Sequence, residues 1–393
     1  MRERLSTQGQ DRGTVARETD GYTMSSEPAC DGALTLRRWS IADWLGSEVA
    51  WSRLLARSNA DALFLSWDWL TLWWQCFAGA LSAVPEILAF YRDGQLVGVV
   101  PLYRRRVVRN RVLRATSVQL IGASWRDPEP LISEYLDVIA LAGETDIVRR
   151  RCAQTLLSER AWSEAVIGFT AAGPEWCAAF AGHGEGRSQY VRDLDRLVSY
   201  QADLSGGFEG YLRNLGQSTR RSLWNLRRRL GQPATVSFEL LSPEEIDAGL
   251  SDLNRLHRLR WQKAAFSGAA LEFHTRLARR LAARGELVLS RLRVGGQVVS
   301  VLYDVRKGVQ QYNLSMGFNP SFDARLSLGL IHLGYAMEAA AERRASSYDF
   351  LAGSGQHCDY KRHLGQARRN LSCVQVLRGH LLPALYRWHD RLQ

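Results

Sequence analysis

Apolar positions in the first half of the chain recur with two different periods. From Trp51 to Phe77, tryptophans and leucines return at the spacing of a helix that buries one face. Leu34 to Arg38, Ser117 to Ile121, Tyr135 to Ala140 and Ala165 to Phe169 are shorter runs that read as strands, with a helix from Asp146 to Arg160 before the last of them. Strand and helix alternate, so this half reads as α/β. The second half opens with a predicted helix from Phe208 to Leu230, followed by a strand at Val236 to Leu241 and helices at Pro243 to Lys263 and Leu271 to Arg284. A strand pair leads on to Gln310 to Gly317, then a helix from Leu326 to Arg343, a strand at Tyr348 to Leu351 and a closing segment.

One pattern occurs twice. Arg92 to Tyr103 aligns, with a two-residue gap, with Val294 to Tyr303, and each is strand, two-residue turn, strand. The turns, Asp93-Gly94 and Gly295-Gly296, are strong hairpin signals. Their separation by half a chain points to a duplicated unit. Gly182 to Ser188 and Ser205-Gly206-Gly207 punctuate the middle, and the junction is placed between them. The expected division is a leader at 1–32, an N-terminal unit at 33–198 and a C-terminal unit at 199–393.

Length supports two units, since 393 residues exceed what one core usually serves. Met1 to Cys30 is polar, without apolar periodicity, and reads as a disordered leader. It lacks the roughly 7–15-residue apolar stretch of a secretory signal, which favours a cytoplasmic address. No run approaches the roughly 18–20 apolar residues of a membrane span. Cys30, Cys76, Cys152, Cys177, Cys358 and Cys373 are scattered without a CxxC pair, so they read as free thiols, and no metal site is expected. The net charge of +11 favours phosphate-bearing partners. Arg213, Arg220, Arg221, Arg227, Arg228 and Arg229 concentrate that charge on the predicted 208–230 helix, which is either a phosphate-docking face or a solvated one. Trp67, Trp69, Trp73 and Trp74 could stack on sugar rings, but their helical spacing argues for core packing.

The helix expected near residue 326 carries the main chemical signal. Its first N–H groups have no intrahelical partner, and the helix dipole adds positive potential, so a diphosphate fits there. In Arg325-Leu326-Ser327-Leu328-Gly329-Leu330, Ser327 can cap, Gly329 permits close approach and Arg325 can meet a phosphate as a planar fork. A capped amphipathic helix is the alternative. The order of helices, long hairpin, loop, helix, strand and tight glycine segment resembles that of GNAT acyltransferases.

The resemblance is closer to the GNAT acetyltransferases of bacterial cellulose and exopolysaccharide synthesis, the cellulose biosynthesis protein D type, and spans Leu36 to Gly365. It rests on Phe64-Leu65-Ser66-Trp67-Asp68-Trp69-Leu70 with Trp73-Trp74, Gly98 to Tyr103, and Tyr135-Leu136-Asp137-Val138. In the second half it rests on Leu256 to Trp261, Tyr312 with Gly317-Phe318, Leu328-Gly329, Tyr348 to Leu351 with Gly353, and Tyr360-Lys361. The chain departs from the commoner form in having Ser327-Leu328-Gly329 where a proline often precedes the glycine, and in His357-Cys358.

This resemblance implies two GNAT-like folds and direct transfer from acetyl-CoA or another acyl-CoA to an amine or hydroxyl of a sugar or polysaccharide precursor. It also implies possible contact with the polysaccharide-synthesis machinery. The thioester would lie along Val299, Ser300 and Val301, the diphosphate at Arg325 to Leu330, and Tyr360 would protonate the departing thiolate. Asp349 would orient an amine or act as base, or else cap its own strand end. Lys361, Tyr312 and His257 are substrate-side candidates, although a histidine on the His257 face is commonly a packed core residue. The related Fem-type enzymes use aminoacyl-tRNA, which leaves tRNA as the alternative donor carrier. A non-catalytic scaffold is the third reading.

Overall fold

The computed structural model describes residues 33–109, 112–127, 131, 133–181, 189–231, 235–323, 325–353 and 359–392. The predicted leader, the Gly182 to Ser188 cluster and His357-Cys358 lie outside the described residues.

The N-terminal half contains β1 (Thr35–Trp39), α1 (Ile41–Leu45), α2 (Glu48–Ala56), α3 (Trp67–Phe77), β2 (Val84–Arg92), β3 (Gln95–Arg109) and β4 (Leu113–Leu120). It continues through β5 (Ile139–Ala140), α4 (Thr145–Ser158), β6 (Glu164–Thr170) and α5 (Gly173–Ala181). The C-terminal half begins with β7 (Gln189–Asp203), α6 (Gly207–Arg213), α7 (Gln217–Arg220), a π-helical turn at Arg221–Asn225 and α8 (Arg227–Leu230). Next come β8 (Val236–Leu240), α9 (Ile246–Trp261), α10 (Gly268–Ala283), β9 (Leu287–Val294), β10 (Gln297–Lys307) and β11 (Gln310–Phe318). The chain closes with α11 (Leu328–Glu342), β12 (Ser347–Gly353), α12 (Asp359–Leu364), β13 (Ala367–Arg378) and α13 (Leu381–Asp390).

Both predicted hairpins form with two-residue turns: β2 ends at Arg92 and β3 starts at Gln95, while β9 ends at Val294 and β10 starts at Gln297. All four turn residues, Asp93, Gly94, Gly295 and Gly296, have φ between 50° and 79°. That double left-handed turn matches the twist of the flanking strands.

The strands form one mixed sheet in the order β1-β2-β3-β4-β6-β13-β7-β12-β11-β10-β9-β8. Read inward from either edge, the halves match. Each has three antiparallel pairings and then a parallel one, β4 with β6 and β11 with β12. The sixth strand of each half is exchanged: β13 pairs with β6, β7 pairs with β12, and β7 and β13 pair with each other. The expected division at 198/199 falls inside β7, and from Leu34 onward the chain forms one compact unit.

Some local expectations need correction. The predicted 208–230 helix breaks at Gly216, whose extended backbone (ψ 150°) starts a new helix, and then widens into the π-helical turn. There the Leu223 carbonyl approaches α11 at Gly334. Of the predicted strand at 135–140, only Ile139–Ala140 pairs; the residues before it form a loop that reaches the functional cleft. The tryptophan cluster, by contrast, packs as its helical spacing indicated: Trp69 and Trp73 are fully buried, with Trp73 on Phe77 and Tyr103.

Candidate functional site

In the C-terminal half, β11 and β12 run side by side only as far as the pair Tyr312↔Asp349. Beyond it β11 continues to Phe318 and β12 to Gly353, so the strands part and, among the described residues, leave the β12-facing edge of β11 unpaired from Asn313 onward. A cavity of about 420 Å³ opens in this wedge. Asn313 to Met316 and Phe350 to Ala352 form its strand walls, α9 and α10 contribute His257, Arg260 and His274, α12 gives Tyr360 and Lys361, and the N-terminal half gives Phe64, Trp69 and Glu134.

Asp349 fastens the point of parting. Its Oδ2 accepts hydrogen bonds from the Tyr135 hydroxyl (2.9 Å), Gln201 (2.7 Å) and Gln310 (3.3 Å), and its Oδ1 accepts from the Leu351 amide (2.7 Å). Burial pushes its pKa up, yet four donors already occupy its oxygens, and it does not line the cavity. Asp349 therefore holds the bulge in which Leu351 takes the left-handed φ of 57°. Tyr312 lies in the same layer, buried and outside the cavity, with its hydroxyl donating to Asp61 of the N-terminal half (3.0 Å).

The bulge turns its backbone groups toward two charged side chains. The Ala352 amide donates to both oxygens of Glu134 (3.0 and 2.8 Å). Lys361 Nζ donates to the Leu351 and Ala352 carbonyls (3.1 and 3.0 Å). Burial raises the Glu134 pKa to about 7, the Ala352 hydrogen bond and the Lys361 charge oppose that rise, and Asp349 and Asp61 add to it. A carboxyl group so tuned exchanges protons near neutrality, as a general base must. Sequence reasoning missed Glu134. The available signal was weak: Glu134 stands between Leu131 and Tyr135-Leu136, but Ser133 and Asp137 are close by and nothing in the sequence sets it apart from them.

His257 lines the cavity, and its Nδ1 lies 2.7 Å from the Lys263 carbonyl. A carbonyl can only accept, so Nδ1 carries the proton and Nε2 is left as an acceptor. Burial lowers the His257 pKa. His274 is buried at the cavity wall with neither ring nitrogen partnered among the described residues, and burial lowers its pKa to about 3, so it stays neutral.

The predicted cofactor residues separate into two groups. Val299, Ser300 and Val301 lie inside β10, buried and flanked by β9 and β11. A strand covered on both edges cannot offer its backbone to a ligand, and the open edge belongs to β11. Arg325, Leu326, Ser327, Leu328, Gly329 and Leu330 do surround a helix start. The Ser327 side chain caps nothing, and the amides of Leu328, Gly329 and Leu330 have no partner among the described residues. Arg325 is exposed, with its guanidinium held by Asp323 at 3.0 and 3.1 Å. A Cβ on Gly329 would lie 2.9 Å from Phe318 and 3.0 Å from Met316, so this glycine permits close packing of the helix on β11. Met316 also lines the cavity, and Arg260, another lining residue, stacks on Phe318 at 4.4 Å. The helix start and the cavity thus share a wall.

The corresponding wedge of the N-terminal half is filled by its own chain. β4 and β6 pair only to Gln119↔Val166, after which Tyr103 donates to the Ala123 carbonyl, Ser133 N–H to Gly122, and Leu136 N–H to Phe169. That plug carries Glu134 across to the open wedge.

Residues 217–362 match the family model of the acetyltransferase (GNAT) domain, so the C-terminal half carries an acyltransferase domain. Among solved structures the fold is similar to FemX, with a TM-score of 0.57 at 11% identity, covering 90% of this chain and 99% of that one. It is also similar to a conserved protein of unknown function from Bacteroides thetaiotaomicron, with a TM-score of 0.52 at 10% identity, covering 88% and 100%. A third similar structure is the C-terminal domain of an Agrobacterium fabrum protein named as a lysylphosphatidylglycerol synthetase, with a TM-score of 0.50 at 11% identity, covering 89% and 97%. At these identities the likeness is one of fold. No curated protein matches the chain in sequence.

Proposed function

We propose that the chain transfers an acyl group directly from a CoA thioester to an amine or hydroxyl held in the wedge between β11 and β12. The observation that carries this reading is the buried Glu134 carboxylate, with a pKa near 7, in one cavity with Tyr360 and Lys361. The residues fit such a donor. The unpaired edge of β11 from Asn313 to Phe318 suits the extended, amide-bearing pantetheine arm, as an open strand edge suits a peptide. The bare amides of Leu328 to Leu330, at the start of a 15-residue helix, suit the diphosphate.

Glu134 takes the proton of the acceptor, whose nitrogen or oxygen attacks the thioester carbonyl. The carbon–sulfur bond then breaks, and the Tyr360 hydroxyl supplies the proton that the thiolate takes. Lys361 acts as a positioning residue that fixes the Leu351–Ala352 backbone and moderates the acidity of Glu134. His274 and His257 Nε2 are polar groups in the lining that could meet an acceptor hydroxyl or amine, beside Asn313 and Ser315. Among the described residues no three side chains form a metal-binding group, and the scheme uses none.

A saccharide acceptor, the polysaccharide-synthesis setting and a cytoplasmic address belong to this proposal and rest on the sequence resemblance. The second reading keeps the same proton transfers with an aminoacyl ester on tRNA as donor. The likeness to FemX and the exposed Arg213, Arg221 and Arg228 on the segment that packs against α11 favour it. Isothermal titration separates the two. Micromolar acetyl-CoA binding that persists in Tyr360→Phe, with transfer lost, supports the first; strongly salt-dependent tRNA affinity without CoA binding supports the second. Folded protein that binds neither would sink both.

A further inference from the structure

α13 presents its apolar face outward. Leu381, Leu385 and Trp388 are 78%, 43% and 65% exposed, and their spacing of four and three places them on one stripe, with Leu392, 68% exposed, just past the helix end. The inner face is anchored: Leu382 is buried with Leu377, Val107 and Ala115, and Tyr386 packs beside them. Asp390 accepts from Tyr190 and forms a two-pronged pair with Arg192, while Arg387 donates to the Gln189 carbonyl and lies over the Tyr190 ring. The outward stripe therefore belongs to a docked helix.

The same packing sets α13 beside the β3–β4 hairpin, because Val107 and Ala115 come from its two strands. That hairpin exposes Val108 and Val112 together with Arg106 and Arg114. From Gly94 to Arg126 the sequence contains no acidic residue. Arg387 and Arg391 flank the α13 stripe. A solvent-exposed row of three leucines and a tryptophan, bordered by arginines from two elements, has the character of a helix lying in a bilayer interface, where the apolar face enters the acyl boundary and the guanidinium groups meet lipid phosphates. A two-fold pairing of this surface with a second copy would oppose arginine to arginine. With ten residues, α13 is too short to span a bilayer.

We propose that α13 and the adjoining β3–β4 hairpin form a docking surface for anionic membranes, on which the protein lies peripherally. This assignment is independent of the catalytic reading, because none of these residues lines the wedge cavity.

The test is co-sedimentation of the full chain with phosphatidylcholine vesicles, with and without about a third phosphatidylglycerol, at low and high salt. We expect binding to the anionic vesicles, weakened at least tenfold by salt or by omission of phosphatidylglycerol. Leu385→Asp with Trp388→Glu should lower binding at least tenfold, while circular dichroism stays native because both side chains face solvent. Arg114→Gln with Arg391→Gln, both exposed, should reduce the dependence on phosphatidylglycerol without altering the fold. The proposal is overturned if folded wild-type protein ignores anionic vesicles at low salt, or if the Leu385/Trp388 variant binds them as wild type does. It is equally overturned if the surface proves to be a protein interface, seen as a concentration-dependent dimer that this variant abolishes while vesicles are not bound.

Discussion

At the residue scale, the site depends on a carboxyl group moved from the acidic range to neutrality. Glu134 serves as a base only when ionised, so activity should rise with pH through about 7, the folded pKa that burial sets. Glu134→Gln keeps the shape and removes the base. The expected loss in kcat is roughly 10² to 10⁴-fold, with the acidic limb of the kcat/KM profile abolished; a variant that kept that limb would assign it to another group. Tyr360 and Lys361, singled out in sequence through the resemblance, both line the cavity, and their roles belong to the proposal. Glu134 was not legible, since burial in the folded chain raises its pKa and its hydrogen-bond partner Ala352 lies more than 200 residues away. Asp349 was legible as a site residue but not in its role, because only the register of β11, β12 and β7 shows that its oxygens are fully engaged.

Two neutral histidines give the fold a pH limit. Burial holds His274 and His332 at about 3, against an ordinary value of 6.5. Between those values the unfolded chain binds protons that the folded chain refuses, so stability is lost as pH falls from 6.5 toward 3. The cost is on the order of 4 kcal/mol per histidine at the low end. The carboxyls of Glu134, Asp61 and Asp304, raised by burial to about 7, 6 and 6, take up protons in the folded state and oppose this loss, so the comparison is with wild type. His274→Phe, assayed by urea denaturation from pH 7 to 4, should gain stability relative to wild type as pH falls. An unchanged slope would place the acid sensitivity elsewhere.

At the element scale, what matters is how closely helices approach the sheet and one another. The hairpins were legible because two-residue turns with Asp-Gly and Gly-Gly allow few geometries. The 208–230 segment was not, because its arginine pattern continues through Gly216 while the backbone changes there. The π-helical turn brings the Leu223 carbonyl against α11, and a Cβ on Gly334 would sit 2.4 Å from that oxygen. Glycine inside a helix ordinarily costs about 1 kcal/mol relative to alanine. Here the contact is with backbone rather than a flexible side chain, and forcing extra volume into a packed interface costs about 1–3 kcal/mol. Steric conflict should win. Gly334→Ala is expected to lower the denaturation midpoint, whereas a stabilised variant would mean that α11 and the π-turn separate readily.

At the scale of the whole molecule, the duplication read from the hairpins is present as repeated strand order, but sequence gave no sign that the sixth strands are exchanged. Exchange is a property of pairing, and β7 and β13 carry no local mark of the sheet they join. Its consequence is thermodynamic. The N-terminal half without β13 leaves β6 an open edge, and the C-terminal half without β7 leaves β12 open, while the β7–β13 ladder from Ala367↔Gln201 to Arg378↔Gln189 joins the two. Arg280 and Arg284 of α10 reaching Asp68 of α3, and Tyr312 reaching Asp61, add polar contacts across the same boundary. Neither half contains its own complete sheet, so unfolding should be a single cooperative event despite a chain length at which two transitions are ordinary. We expect coincident denaturation curves from circular dichroism and tryptophan fluorescence. A chain ended at Gln366, which lacks β13 and α13, should fail to fold in either half. If such a truncated chain kept a folded C-terminal half that melted in its own transition, the exchanged strands would be ornament on two independent units rather than the bond between them.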